Sequence, residues 1–130
     1  MRWMPSLAVA PLALLLAAVT LPGCSQRPGA ASRHWAEIGD ASRGPALLAS
    51  YGCRSCHVIP GVAGPKARVG PRLAGLADQM FIGGVLPNRP ANLVRWIRFP
   101  QETDSLTAMP DLGVSERDAR DIAAYLYGVK

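Results

Sequence analysis

Cys53-Arg54-Ser55-Cys56-His57 is the stretch on which the reading of this chain turns. Two cysteines three apart, with a histidine directly after the second, form the c-type haem attachment signature. The chemistry requires that spacing. Each thiol adds across one haem vinyl group to form a thioether, and two intervening residues let a helical turn set both sulfurs along one haem edge. The following histidine is then carried beneath the iron as an axial ligand. Two other uses of paired cysteines fit less well. A redox-active pair calls for a βαβ context, and no such alternation is visible. A structural zinc site calls for four ligands, and outside the motif only Cys24 and His34 remain.

One such motif implies one haem, with His57 on one side of the iron. Beyond the N-terminal stretch the chain has two methionines, Met80 and Met109. Leu73, Leu76 and Met80 share one helical face, so Met80 reads as a core residue. Met109 stands in Thr107-Ala108-Met109-Pro110, a loop between two helical patterns. Loops deliver side chains across a haem face, and Pro110 stiffens the backbone. Met109 is therefore the candidate second ligand; the alternative is an ordinary loop methionine.

Further outward, helical patterns dominate. The spacing predicts a C-terminal helix capped by Ser115, with Asp118 at the N3 position and Ala119, Ile122, Ala123, Leu126 and Val129 on its apolar face. Val114 and Ala119 are placed to staple its entry, and Gly128 to end it. A helix from Pro45 to Tyr51 feeds into Cys53, and a third runs from Pro90 to Phe99 with Leu93 and Ile97 facing one way. Leu73 to Ile82 makes a fourth. No alternating run of β-branched or aromatic residues reaches five. The expected class is all-α.

Before the domain lies a different kind of sequence. Arg2 is the only charge before Arg27, and Leu7 to Leu21 is rich in Leu, Ala and Val. A positive start, an apolar run and a small-residue end describe an export signal. Its end, Leu21-Pro22-Gly23-Cys24, resembles the bacterial lipoprotein cleavage box, which implies residues 1–23 as signal and Cys24 as the lipid-attachment residue. An uncleaved transmembrane anchor is the alternative, since about 20 apolar residues suffice to span. Residues 24–42 mix Gly, Pro, Ser and isolated charges and read as a tether, leaving 43–130 as the domain. The whole chain has 130 residues, 49% of them hydrophobic and only 6% aromatic. It is not a disordered composition, but so small a domain has few aromatics for a core, and a bound cofactor supplies apolar volume.

Residues Pro45 to Val129 resemble a class I cytochrome c, a four-helix all-α fold wrapped around one covalently attached haem c. The resemblance rests on the attachment motif and on Val69-Gly70-Pro71-Arg72-Leu73, which is similar to the family's Gly-Pro-x-Leu element. It rests also on Leu93-x-x-Trp96-Ile97-x-x-Pro100 and on Ala108-Met109-Pro110, nine residues after Pro100. Ile122-Ala-Ala-Tyr125-Leu126 resembles the C-terminal helix that crosses the N-terminal one. The resemblance implies Cys53 and Cys56 as the covalent attachment points and His57 and Met109 as axial ligands. It implies a Pro71 carbonyl that accepts from the histidine, Leu73 packed on the haem, and Trp96 near its methionine side. Asn88 is a candidate donor to a haem propionate. One departure concerns the helix crossing, where the family has Gly and an aromatic four apart and this chain is expected to have Pro45 and Ala49.

These features imply an electron carrier rather than an enzyme: both axial sites are closed, and no distal acid–base pair is available. A haem enzyme or gas sensor requires Met109 to be displaceable. The expected setting is periplasmic and membrane-anchored, in a respiratory chain, as a monomer with redox-protein partners and no nucleic acid. The net charge is +5. From Arg54 to Arg98 seven basic residues face one acid, Asp78. The haem-attachment half is thus expected to steer toward an acidic partner, and the resemblance suggests the copper-bearing domain of a cytochrome c oxidase.

Overall fold

The C-terminal helix organises the molecule. The structure, a computed structural model, describes Met1, residues 37–65 and residues 69–130. Among these, α1 spans Gly44–Ser50, α2 Pro90–Arg98, α3 Pro100–Thr103 and α4 Glu116–Gly128, with one two-stranded hairpin, β1 (Phe81–Ile82) and β2 (Leu86–Pro87). Ser115 caps α4: its hydroxyl accepts from the Asp118 amide at 3.1 Å, satisfying one of the first-turn donors that have no intrahelical partner. Val114 and Ala119 at this entry are both buried, as are Ile122, Ala123 and Leu126. This face receives both α1 and α2.

Sequence chemistry sets the limits of the other helices. Pro45 stands in the first turn of α1, where a missing amide hydrogen costs nothing. Gly52, at φ +74°, turns the chain left-handed just past its end, a conformation glycine adopts without the Cβ clash. Pro90 opens α2, which buries Leu93 and Ile97; Pro100 ends its run and begins the single turn of α3.

Gly44 is buried at the α1–α4 crossing, and a Cβ there would lie 2.6 Å from Tyr125 Cγ. Leu48, four residues on, is 1% exposed. The crossing thus uses Gly44 and Leu48, not Pro45 and Ala49; the expected register was one residue late. Only glycine lets the two backbones approach this closely.

The stretch Leu73 to Ile82 is not the expected helix. Gly75 takes φ +64°, a short 3-10 turn follows at Leu76–Asp78, and Gln79 is already extended. Gly83 and Gly84 both have positive φ and reverse the chain between Ile82 and Leu86, which pair antiparallel. Two such residues in succession define the turn whose twist suits a hairpin. The all-α expectation therefore needs this small β element added. Met80 is 80% exposed rather than in the core, while Leu76 is 5% exposed: a helical period was read into a segment that glycine conformations break.

The domain also begins earlier than residue 43. Asp40 donates its backbone N–H to Asp121 Oδ1 at 2.7 Å, and a Cβ on Gly39 would lie 2.6 Å from the Arg120 carbonyl carbon. Asp121, 4% exposed, is also paired with Arg43, so its buried charge is both neutralised and hydrogen-bonded. Residues 38–42 thus belong to the folded unit. Residues 2–36, which hold the signal beyond Met1, Cys24 and most of the tether, lie outside the described residues.

Candidate functional site

The motif residues sit directly after α1. Beyond left-handed Gly52, Cys53–Ser55 form a 3-10 turn, and the amides of Cys56 and His57 both donate to the Cys53 carbonyl, at 3.3 and 3.0 Å. This one turn sets the positions of all three reactive side chains. Cys53 and Cys56 are free thiols, each half-buried. Burial pushes the Cys53 thiol above its ordinary pKa, so at neutral pH it is the protonated, weakly nucleophilic form.

The imidazole of His57 is held on two sides. Nδ1 lies 2.7 Å from the Pro71 carbonyl oxygen. A carbonyl only accepts, so Nδ1 carries the proton and Nε2 keeps its lone pair for a Lewis acid. Gly70 packs against the ring: a Cβ on it would lie 2.6 Å from Nδ1 and 2.9 Å from Nε2. The segment bearing Gly70 and Pro71 is tied to the motif by backbone bonds. Gly70 N–H donates to the Cys56 carbonyl at 2.9 Å and Leu73 N–H to the Val58 carbonyl at 3.0 Å. Behind the motif, Arg54 donates to the Ala63 carbonyl at 2.8 Å and Tyr125 donates its hydroxyl to the Pro60 carbonyl at 2.6 Å.

Two thiols and one imidazole with a free Nε2 are the donors that a covalently attached haem requires. Among the described residues no group of three or more His, Cys, Asp and Glu side chains is arranged to hold a metal ion; Cys24 and His34, which a zinc site would call on, lie outside them. A His–Met pair falls outside that class of site.

The other expected residues are spread around this centre. Leu73 is half-buried and packs against the core. Trp96, on α2, is half-buried, and its ring lies against Gly83, whose Cβ would sit 2.5 Å from Cη2. Met109 is half-buried in the loop between α3 and α4, where its amide donates to Thr107 Oγ1 at 3.2 Å. Two Asx turns brace that loop: Asp104 accepts from the Leu106 amide and Asp111 from the Gly113 amide, each at 3.0 Å. Asn88 has a different use from the one expected. Its side-chain amide donates to the Leu76 and Gln79 carbonyls, each at 2.7 Å, and its oxygen accepts from Tyr127, so no amide hydrogen is left for a propionate.

Sequence reasoning passed over Gly70 as a packing partner of the histidine, Gly83 as the seat of Trp96, and the Asn88–Tyr127 pair. The first two carried a signal, since glycines beside a candidate ligand and in a Gly-Gly pair mark close approach or a turn. The third did not, because 39 residues separate its members. A groove of about 670 Å³ is lined by Ile38, Val94, Phe99 and neighbouring charged residues and contains none of the expected site residues. No family model matches the chain, and none of the curated proteins compared with it is significantly similar.

Proposed function

We propose that this chain is a monohaem cytochrome c of the class I kind, a membrane-anchored periplasmic one-electron carrier in a respiratory chain. The observation that carries the reading is the His57 Nδ1–Pro71 carbonyl bond beside two free thiols on one turn. It leaves Nε2 as the donor and fixes the ring plane, which is how proteins prepare a histidine for iron.

Cys53 and Cys56 would hold haem c through thioethers, each thiol adding S–H across a vinyl group, and His57 and Met109 would supply a nitrogen and a sulfur ligand to its iron. When bound, the haem supplies a single iron that cycles between Fe(III) and Fe(II). The chain's own residues do the rest. The Pro71 carbonyl raises the basicity of the imidazole and so favours the oxidised state; a soft thioether from Met109 favours the reduced one. Gly70, having no Cβ, lets the backbone lie against the ring. Leu73 and Trp96 supply apolar wall that excludes water. Because His57 and Met109 would both be committed to the haem iron, the reading is of an electron carrier rather than an enzyme.

The Leu21–Cys24 box supports a lipid anchor at Cys24, with an uncleaved N-terminal segment as the other route to the membrane; among the described residues no helix is long and apolar enough to cross one. The partners proposed are other redox proteins, with an oxidase copper domain as acceptor. Intact-mass measurement of the denatured protein, with a reduced-minus-oxidised spectrum, tests the assignment. One covalently retained haem and a c-type spectrum are expected, both lost in Cys53→Ser/Cys56→Ser. A purified chain from a host competent in c-type maturation that carries no covalent haem overturns it.

A further inference from the structure

We infer that Tyr127 is a positioning residue for the histidine ligand: acting through Asn88, it fastens the far end of the segment whose near end brings the Pro71 carbonyl to His57. The inference rests on the haem reading above. Residues 70–80 run as a strap between the imidazole and α4. Its near end is tied to the motif by Gly70 and Leu73, whose amides donate to the carbonyls of Cys56 and Val58. Its far end is tied twice to the C-terminal region: Gly75 N–H donates to the carbonyl of Val129, the residue after α4, at 3.1 Å, and Asn88 gathers the rest. The Asn88 amide group donates to the carbonyls of both Leu76 and Gln79, while its backbone N–H donates to that of Met80 at 2.9 Å.

What orients Asn88 is Tyr127. Both side-chain amide hydrogens of Asn88 are directed at carbonyls, so its oxygen faces the phenol, and Tyr127 Oη donates to it at 2.7 Å. Tyr127 is 5% exposed, and burial pushes its pKa up to about 12, so it remains a donor at any pH the protein meets. Removing the hydroxyl takes that buried donor from the Asn88 oxygen, which costs more than an exposed bond, and the amide is then free to swing away from Leu76 and Gln79. The Pro71 carbonyl would then be placed by the near ties and the single Gly75–Val129 bond. A looser carbonyl makes His57 a weaker electron donor and disfavours the oxidised iron.

The test uses the haem-loaded protein, with covalent haem established first by mass. In Tyr127→Phe, exchange of the His57 Nδ1 proton and the Leu73 amide should rise about tenfold relative to the Ile122 amide in the α4 core, the scale of one lost hydrogen bond. The midpoint potential should shift upward. Asn88→Ala should behave alike, and the double variant should shift the potential no further than Asn88→Ala, because the two residues act in series. Ser115→Ala, which uncaps α4 away from the strap, serves as the control: exchange should rise together at all core sites with no change in potential. If Tyr127→Phe and Asn88→Ala behave like that control, the two residues are merely structural and the inference falls while the haem reading stands. A parent protein without covalent haem overturns the haem reading and this inference with it.

Discussion

His57 and Met109 stand at opposite ends of a range of preparation. His57 follows a helix packed on α4, its ring is fixed by the Pro71 carbonyl and flanked by Gly70, and its neighbours Cys56 and Val58 are bonded to Gly70 and Leu73, far along the chain. Met109 lies in a loop whose bonds are local, each spanning two or three residues: Thr107 to Asp104, Leu106 to Asp104, Met109 to Thr107 and Gly113 to Asp111. Leu106 in that loop is 92% exposed. Long-range ties resist local opening, whereas a loop held by its own turns opens at small cost. His57, the proposed proximal ligand, is thus built into the fold, and Met109, the proposed distal one, stands on a segment held by its own turns.

Gly70→Ala should break this contrast most severely. The added methyl would occupy the space of the imidazole, and overpacking of this kind costs about 1–3 kcal/mol. Either the ring or the Pro71 segment must shift, so the His57–Pro71 bond should weaken as the fold does. Denaturant unfolding together with the His57 Nδ1 proton resonance checks both. An unperturbed resonance would show that the site has slack the contact geometry does not.

Met109→Ala should do less to the fold and more to one signal. The methionine is only half-buried, so the loss should fall at or below the lower end of the range for truncating a buried methionine, about 2 kcal/mol. The Met–Fe(III) charge-transfer band should disappear while the haem stays attached. Met80→Leu should keep the band, because Met80 is exposed on the hairpin arm. Loss of the band in Met80→Leu alone would exchange the roles of the two methionines.

How much of this was legible beforehand follows from the same contrast. The attachment motif, the Met109 loop and the C-terminal helix with its Ser115 cap are written in short spacings, and short spacings report local geometry; the Pro71 acceptor came only from the family resemblance, since its bond spans 14 residues. The Leu73–Ile82 segment misled because its apolar period fits a helix, while Gly75, Gly83 and Gly84 dictate turns; the glycines deserved the greater weight. The Gly44–Tyr125 crossing was displaced by one residue, since Gly44 and Pro45 both look like helix starts. Asp121, Arg43 and the Asn88–Tyr127 bond depend on tertiary contact between distant residues, which no local pattern encodes.

The α1–α4 side should also respond to acid. Asp118 accepts from Tyr51 Oη at 2.9 Å and pairs with Arg43 at 3.1 Å. The Tyr51 and Ser115 hydrogen bonds, with the Arg43 charge, hold its carboxyl below the ordinary value of 3.8. Because the folded pKa is depressed, the stabilisation is fully present above 3.8 and is lost as pH falls through the lower folded value. Tyr51→Phe should therefore flatten the fall in stability below pH 4, measured by thermal unfolding across pH. An unchanged slope would assign acid sensitivity to other carboxylates.

The smallest structural effect and a purely kinetic readout belong to the surface beside the better-prepared ligand. Arg72 is exposed and stands next to Pro71, on the segment that contacts His57, and Arg89 is exposed at the start of α2. Arg54 and Arg98 are committed to the Ala63 carbonyl and to Glu116, and Lys66 and Arg68 lie outside the described residues. Among the described residues of the basic half, Arg72, Arg89 and Arg95 are exposed, and Arg72 is the neighbour in sequence of the Pro71 acceptor. A carrier must release its partner after each electron, so its interface is small, and charge then acts on encounter rate and orientation. Second-order transfer to an acidic acceptor should slow with salt, as the Debye length falls from about 30 Å at 0.01 M to about 10 Å at 0.1 M. Arg72→Glu should lower the rate at low salt and reduce the salt dependence, leaving the spectrum and the unfolding midpoint nearly unchanged. Stopped-flow oxidation across ionic strengths decides it. If Arg72→Glu retains the full salt dependence while Arg89→Glu loses it, the docking face lies toward α2 and away from the side on which His57 is held.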